Sequence, residues 1–179
     1  MLILVTGGSG SGKSEFAENL VLRLNQKPYL YLATMYPFDE ECHQRIARHR
    51  RMRAEKEFET LECYTGLKGC DVGGYGTVLL ECMSNLTANE MYQEGGAGER
   101  CVQAVLEGVC RVSGQCENLV IVSNEIFSDG IEYDEETRRY QRYLGTINQE
   151  IAKLSDLVVE VVYSIPVVYK GNLKEVTGI

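Results

Sequence analysis

Histidine is scarce in this chain, with two residues in 179, and its seven cysteines (Cys42, Cys63, Cys70, Cys82, Cys101, Cys110, Cys116) include no C-x-x-C pair. That spacing excludes an ordinary zinc site, and an odd cysteine count excludes a complete disulfide framework, so the thiols read as reduced and mostly structural. Basic charge is in deficit: 18 Lys and Arg against 26 Asp and Glu leave a net charge of −8. This argues against a general nucleic-acid binder, whose affinity comes mainly from phosphate neutralisation. No apolar run approaches the roughly 20 residues of a membrane span, and no charged and apolar leader precedes the first strand-like run. The expectation is a soluble, cytoplasmic protein with no membrane span and no nucleic-acid partner. With 44% hydrophobic and 25% charged residues, its length suits one domain, residues 1–179.

What is present is a glycine-rich loop. Gly7-Gly8-Ser9-Gly10-Ser11-Gly12-Lys13-Ser14 follows the apolar run Leu2-Ile3-Leu4-Val5 and precedes a helix-like run from Glu15 to Asn25. The pattern G-x-x-x-x-G-K-[ST] is a phosphate-binding loop. Its glycines let successive N–H groups turn toward phosphate oxygens, with a helix dipole behind them. Lys13 would reach the β- and γ-phosphates, and the Ser14 hydroxyl would ligate Mg²⁺. Strand, loop and helix stand in the required order, so a nucleoside triphosphate is the expected ligand.

Short Val/Ile/Leu-rich runs alternate with helical patterns along the rest of the chain, as in β-α units around a buried parallel sheet. Strands are expected at residues 2–6, 28–33, 77–81 and 119–122, and at 157–162 and 167–169 around a turn at Ile165-Pro166. Helices are expected from Lys13, over the basic, Gly- and Pro-free residues 39–58, over 97–113, and over 134–154. In the last, Tyr140, Tyr143, Leu144, Ile147, Ile151 and Leu154 share one face.

A phosphate-loop protein commonly holds Mg²⁺ with a carboxylate at the end of another strand. Glu81, after Val78-Leu79-Leu80, is the first candidate, and Glu125, after Val120-Ile121-Val122-Ser123-Asn124, competes with it. A second feature is Arg45-Ile46-Ala47-Arg48-His49-Arg50-Arg51-Met52-Arg53, which with Lys56 packs six of the 18 cations into twelve positions. On a helix, Arg45, His49 and Arg53 share a face. Neighbouring positive charge would keep the imidazole neutral and nucleophilic while the arginines clamp a triphosphate, as suits a histidine that attacks phosphorus. Taken alone, such a run reads more readily as a solvated face. His43 lies off that face and reads as surface.

Together these residues resemble the bifunctional adenosylcobinamide kinase/adenosylcobinamide-phosphate guanylyltransferase family of cobalamin biosynthesis. The resemblance runs nearly end to end. It is carried by Leu4-Val5-Thr6-Gly7-Gly8 through Ser14, Tyr31-Leu32-Ala33-Thr34, Arg45-Ile46 with His49-Arg50 and Arg53, Thr60 with Glu62, Leu79-Leu80-Glu81-Cys82, Val122-Ser123-Asn124-Glu125, and Asn148-Gln149. It implies an α/β fold of the phosphate-loop NTPase type, a mostly parallel sheet flanked by helices with an antiparallel C-terminal edge strand, assembled as a homotrimer. It also implies two reactions. A nucleoside triphosphate, GTP or ATP with Mg²⁺, phosphorylates the corrinoid substrate adenosylcobinamide. GMP is then transferred from GTP to that phosphate through a histidine–GMP intermediate at His49.

By the same resemblance Ala33, Thr34, Met35, Arg50, Arg51, Met52, Arg53, Glu62 and Glu81 line the guanine nucleotide site beside the loop. Lys13 and His49 are the catalytic residues, and Ser14 and Glu81 the Mg²⁺ ligands. The chain departs from the family pattern at Gly10, where arginine is common, and at Ile126 to Tyr133, which lacks the usual proline. It departs again at Glu135, near a frequent arginine, and at Arg142, where aspartate is usual. These positions bear on the kinase step and the corrinoid contacts more than on guanylyl transfer. Outside the family, the same loop is compatible with a kinase of another small hydroxylated substrate, or with a nucleotide-binding switch.

Overall fold

The computed structural model describes residues 1–37, 47, 56–128 and 130–177. In chain order these form β1 (Leu2–Thr6), α1 (Lys13–Leu24), β2 (Tyr29–Ala33), β3 (Phe58–Glu62) and a 3₁₀ turn (Leu67–Gly69). Next come β4 (Thr77–Glu81), α2 (Met83–Tyr92), a second 3₁₀ turn (Gly98–Arg100), α3 (Cys101–Ser113), β5 (Asn118–Val122) and α4 (Glu135–Leu154). The chain ends in β6 (Leu157–Val162), β7 (Ile165–Lys170) and α5 (Leu173–Thr177). Among the described residues the strands make one seven-stranded sheet in the order β3-β2-β4-β5-β1-β6-β7. Its first six strands run parallel, and β7 turns back antiparallel along β6.

The central strands are apolar on both faces because both faces are covered. Ile3, Val5, Leu79, Val120, Val122, Leu157 and Val159 pack toward α1, against Ala17, Leu20 and Val21. Leu2, Leu4, Leu30, Leu32, Val78, Leu80, Leu119 and Ile121 point the other way, into a core closed by α2, α3 and α4 through Leu86, Val105, Val109, Leu144, Ile147 and Ile151. Strict alternation within each strand therefore assigns every residue to one layer or the other. No helix among the described residues is long and apolar enough to cross a membrane.

The α/β architecture with its antiparallel edge strand is the one the sequence leads one to expect, and several boundaries differ. The hairpin between β6 and β7 turns at Tyr163 and Ser164, with φ of 51° and 62°, and not at Ile165-Pro166. Two successive left-handed residues suit a two-residue hairpin loop, and Pro166 lies inside β7 opposite Val161, on an edge strand that tolerates a missing N–H. Three elements, β3, α2 and the short α5, lie where no such element is expected. β3 is a mostly exposed edge strand with two glutamates, and α2 buries Ser84, Thr87, Asn89 and Glu90 alongside Met83 and Leu86. Neither has the apolar periodicity of its class.

The expected helix over 39–58 lies largely outside the described residues, but its last position, Phe58, is the first residue of β3. On α4 the buried stripe is Leu144, Ile147 and Ile151, with Tyr140 and Tyr143 packed at its margin, and Leu154 is 56% exposed. The helix starts where Asp134 accepts a hydrogen bond from the Thr137 N–H at 2.8 Å, a side-chain N-cap.

Burial makes opposite demands on two α4 positions. Ile147→Ala should lower the unfolding free energy by about 2–5 kcal/mol in urea titration. Leu154→Ala should change it by less than about 0.5 kcal/mol. Equal losses at the two sites would contradict the packing of α4.

Candidate functional site

The sheet register carries five distant segments to one edge. Val5 pairs with Val122, Val122 with Glu81, Glu81 with Ala33, and Ala33 with Glu62. This row runs across β1, β5, β4, β2 and β3 near their carboxyl ends, where open α/β sheets bind ligands. Paired residues share a face, and Val5 and Val122 face α1, so Glu81, Ala33 and Glu62 face that side too. At about 4.8 Å per strand, Glu62 stands roughly 10 Å from Glu81 along the row.

Directly above β1, residues 7–12 curl into the start of α1. Gly7 and Gly12 hold φ of 154° and 91°, and each is crowded. A Cβ on Gly7 would come within 2.6 Å of Ser11 Oγ and Val161 O, and one on Gly12 within 2.6 Å of Ser164 Oγ. Glycine is therefore required twice over at both positions. Two neighbours fix the loop from outside, since Glu125 N–H donates to Gly7 O at 3.0 Å and Ser164 N–H to Ser11 O at 2.8 Å. The hairpin turn thus buttresses the loop, a contact between residues about 150 positions apart that no sequence pattern signals.

Lys13 Nζ donates to Gly8 O at 3.0 Å. Burial lowers its pKa from the ordinary lysine value, against the opposing pull of Cys82 and Glu81. Ser14 Oγ donates to Glu81 Oε1 at 2.5 Å. Glu81 Oε2 is shut off from solvent and has no hydrogen-bond partner among the described residues. An orphaned carboxylate oxygen beside a loop serine is the donor set a hard divalent cation takes, so Ser14 and Glu81 fit Mg²⁺. Among the described residues no cluster of three or more His, Cys, Asp or Glu competes for that ion. Glu125, the other candidate carboxylate, is engaged elsewhere: its Oε1 accepts from Phe127 N–H and Ser128 Oγ, both at 2.9 Å.

The Thr34 hydroxyl is buried and tied to the backbone on the far side of Glu81. It accepts from Cys82 N–H at 2.7 Å and donates to Cys82 O at 2.8 Å, while Thr34 N–H reaches Glu81 O at 3.1 Å. Asn89 Nδ2 completes the clasp by donating to Thr34 O at 2.8 Å. Behind it, Ser84 Oγ lies 2.9 Å from Cys82 Sγ and accepts from Asn124 Nδ2 at 2.8 Å, and Ser123 Oγ donates to Asn148 Oδ1 at 2.7 Å. The motifs at 79–82, 122–125 and 148–149 thus meet beneath the carboxylate as its scaffold. Glu62, at the outer end of the row, accepts from Tyr64 Oη at 2.8 Å, and the Tyr64 ring meets Tyr36 edge-on with centroids 5.1 Å apart. Neither tyrosine stands in a sequence motif. Met35 is half-buried beside them. His49, Arg50, Arg51, Met52 and Arg53, like His43, lie outside the described residues.

Against known families, residues 3–169 match the model of CobU, described as cobinamide kinase / cobinamide phosphate guanyltransferase. The chain belongs to this family. Within it, the chain is 32% identical to the bifunctional adenosylcobalamin biosynthesis protein CobU of Escherichia coli K12, over 95% of this chain and all of that protein. It is 30% identical to the bifunctional adenosylcobalamin biosynthesis protein CobP of Pseudomonas aeruginosa PAO1, over 94% of this chain and 97% of that one. Among solved structures, the flagellar accessory protein FlaH of Methanocaldococcus jannaschii aligns with a TM-score of 0.50 at 12% identity, covering 96% of this chain and 79% of its own. A type III secretion ATPase aligns with a TM-score of 0.50 at 11% identity, over 89% of this chain and 50% of its own. At such identities the likeness is one of fold alone.

The clasp around Glu81 can be tested without any ligand. Thr34→Val preserves shape but strips both side-chain hydrogen bonds from Cys82, leaving its buried N–H unpaired while its C=O keeps the Leu86 N–H. We expect a loss of roughly 1–3 kcal/mol for that orphaned group in denaturant titration. Wild-type stability in this variant would show that the clasp does not hold the turn after β4.

Proposed function

We propose that this protein performs two steps of cobalamin biosynthesis on one nucleotide-binding unit, residues 1–179. It phosphorylates the hydroxyl of adenosylcobinamide with GTP or ATP, then transfers GMP from GTP to the resulting phosphate. The observation that carries this reading is the convergence of Lys13, Ser14 and the half-satisfied Glu81 at the loop, in a chain of the CobU family.

In the phosphorylation step the loop N–H groups and Lys13 hold the β- and γ-phosphates, and Ser14 and Glu81 hold Mg²⁺, which when bound neutralises charge developing on the phosphate oxygens. In the guanylyl step an imidazole nitrogen of His49 attacks the α-phosphorus of GTP, the bond to the β-phosphate oxygen breaks, and pyrophosphate leaves. A phosphate oxygen of the corrinoid then attacks the same phosphorus, the N–P bond breaks, and His49 is regenerated. Splitting the transfer in two is the gain from covalent catalysis. Arg50, Arg51, Met52, Arg53, Ala33, Thr34, Met35 and Glu62 serve as the nucleotide surround. The position of Glu62 in the same in-register row as Glu81 supports that grouping.

Incubation of the full chain with GTP and Mg²⁺ should add one GMP to its mass through an acid-labile bond and release pyrophosphate. His49→Asn should abolish the adduct and His43→Asn should leave it. An adduct mapped to any other residue would refute the role of His49. Separately, Glu81→Gln should reduce Mg²⁺-dependent turnover at least tenfold with a smaller loss of nucleotide affinity, because the side-chain shape is kept and the charge removed. Glu125→Gln should retain turnover within about threefold, which is less than 1 kcal/mol of barrier. If only the Glu125 variant fails, the metal carboxylate belongs to the segment after β5.

A further inference from the structure

We propose that Cys63 and Cys70 form a reversible modification site, a dithiol that a low-molecular-weight disulfide oxidises to an intramolecular bridge. Their sulfurs are hydrogen-bonded at 2.8 Å and both are free thiols. An S–S bond is about 2.05 Å, so closure needs roughly 0.8 Å of further approach between the sulfurs.

The segment between the two cysteines is bound to the body of the protein at each turn. Cys63 N–H donates to Ala33 O at 2.9 Å, which continues the β2–β3 ladder past its end. Gly66, at φ 67°, starts the 3₁₀ turn, and its N–H donates to the buried Glu90 carboxylate at 2.7 Å. Leu67 is 1% exposed, and Cys70 N–H returns to Leu67 O at 3.1 Å. The sulfurs are therefore held together by the fold, independently of any bond between them. A pair prepositioned in this way has little entropy left to lose on closure, so the effective concentration of one thiol at the other is high.

The two thiols are not equivalent. Cys63 is buried, and its hydrogen bond with Cys70 together with burial pushes its pKa above the ordinary thiol value. Cys70 is half-exposed, and its hydrogen bond with Cys63 holds its pKa below that value. Cys70 is accordingly the attacking thiol and Cys63 the resolving one. The Cys70 thiolate attacks one sulfur of the oxidant, the oxidant S–S bond breaks, and the first thiolate leaves. Cys63 then attacks Cys70 Sγ, the mixed disulfide breaks, and the second thiolate leaves. The two protein thiols lose two electrons, the oxidant gains them, and the protons of Cys63 and Cys70 end on the two released thiols.

The remaining described cysteines do not share this geometry. Cys110 is exposed on α3, Cys82 and Cys101 are buried, and Cys116 is half-buried with its thiol pushed up to about 11. None of them has a sulfur within hydrogen-bond range of another among the described residues.

The test is to treat the native full chain with oxidised glutathione at pH 8, block free thiols with iodoacetamide, and map peptides without reduction. Cleavage at Lys68 separates the two cysteines, so a bridge appears as a Cys63–Cys70 cross-linked peptide lacking two hydrogens and lost on treatment with dithiothreitol. Cys110 should carry a glutathione adduct in the same sample. Cys63→Ser should accumulate the adduct on Cys70 because nothing resolves it, and Cys70→Ser should leave Cys63 alkylatable at most after unfolding. The proposal is overturned if wild-type Cys70 keeps glutathione without bridging. It is equally overturned if Cys63 or Cys70 bridges to Cys42 instead, or if both remain unoxidised while Cys110 is modified. The wild-type map decides these outcomes even where a variant folds poorly.

Discussion

Everything at the candidate site depends on the in-register pairing of five parallel strands. Parallel strands must be joined by crossovers, so neighbours in the sheet come from remote parts of the chain. The row Val5, Val122, Glu81, Ala33, Glu62 draws on residues spread over almost 120 positions, yet it is as straight as the hydrogen-bond ladder that makes it. Side-chain alternation then sends the two glutamates to the face on which α1 begins. A slip of one residue in any pair would turn a carboxylate into the opposite core. The apolar residues flanking Glu81, Leu80 and Leu79 among them, prevent that slip because both of their faces are filled.

The second constraint is local. The turn from β1 into α1 is closed by glycines that have no room for a Cβ, and it is clamped by Glu125 on one side and Ser164 on the other. A backbone held this way offers its N–H groups without further ordering, the form of preorganisation that anion binding at helix N-termini exploits. Polar burial plays the matching part under Glu81. Thr34, Asn89, Ser84, Asn124 and Ser123 exchange hydrogen bonds within a layer that is otherwise apolar, and each buried polar group there has a partner. Such a network defines one geometry because any rearrangement strands a donor or an acceptor.

The Glu81 Oε2 atom is one of three buried side-chain atoms without a partner among the described residues, with Ser11 Oγ and Arg139 Nε, and it is the one that carries negative charge. A fold that satisfies Thr34, Asn89 and Ser84 so completely leaves one carboxylate oxygen unpaired, next to the serine hydroxyl and near the lysine of the loop. The desolvated Lys13 shows the same economy, since a cation held partly out of water has the most to gain from an anionic partner.

Sequence alone was sufficient for the loop at 7–14, for strands β1, β2, β4, β5 and β6, for α1, α3 and α4, and for the candidacy of Glu81, because each rests on contacts between near neighbours in the chain. Continuous apolar runs report two-sided burial, 3.6-residue periodicity reports a packed face, and the glycine pattern reports a backbone shape. Tertiary structure decided the rest. It made an edge strand of the polar Phe58–Glu62 segment and a helix of Met83–Tyr92, whose buried polar residues give no periodic signal. It separated Glu81 from Glu125 by giving the second carboxylate partners in its own loop, brought Ser164 against the phosphate-binding loop, and set Cys63 beside Cys70. All of these depend on which strand lies next to which, and that order is settled by the joint packing of both sheet faces and not by any one segment.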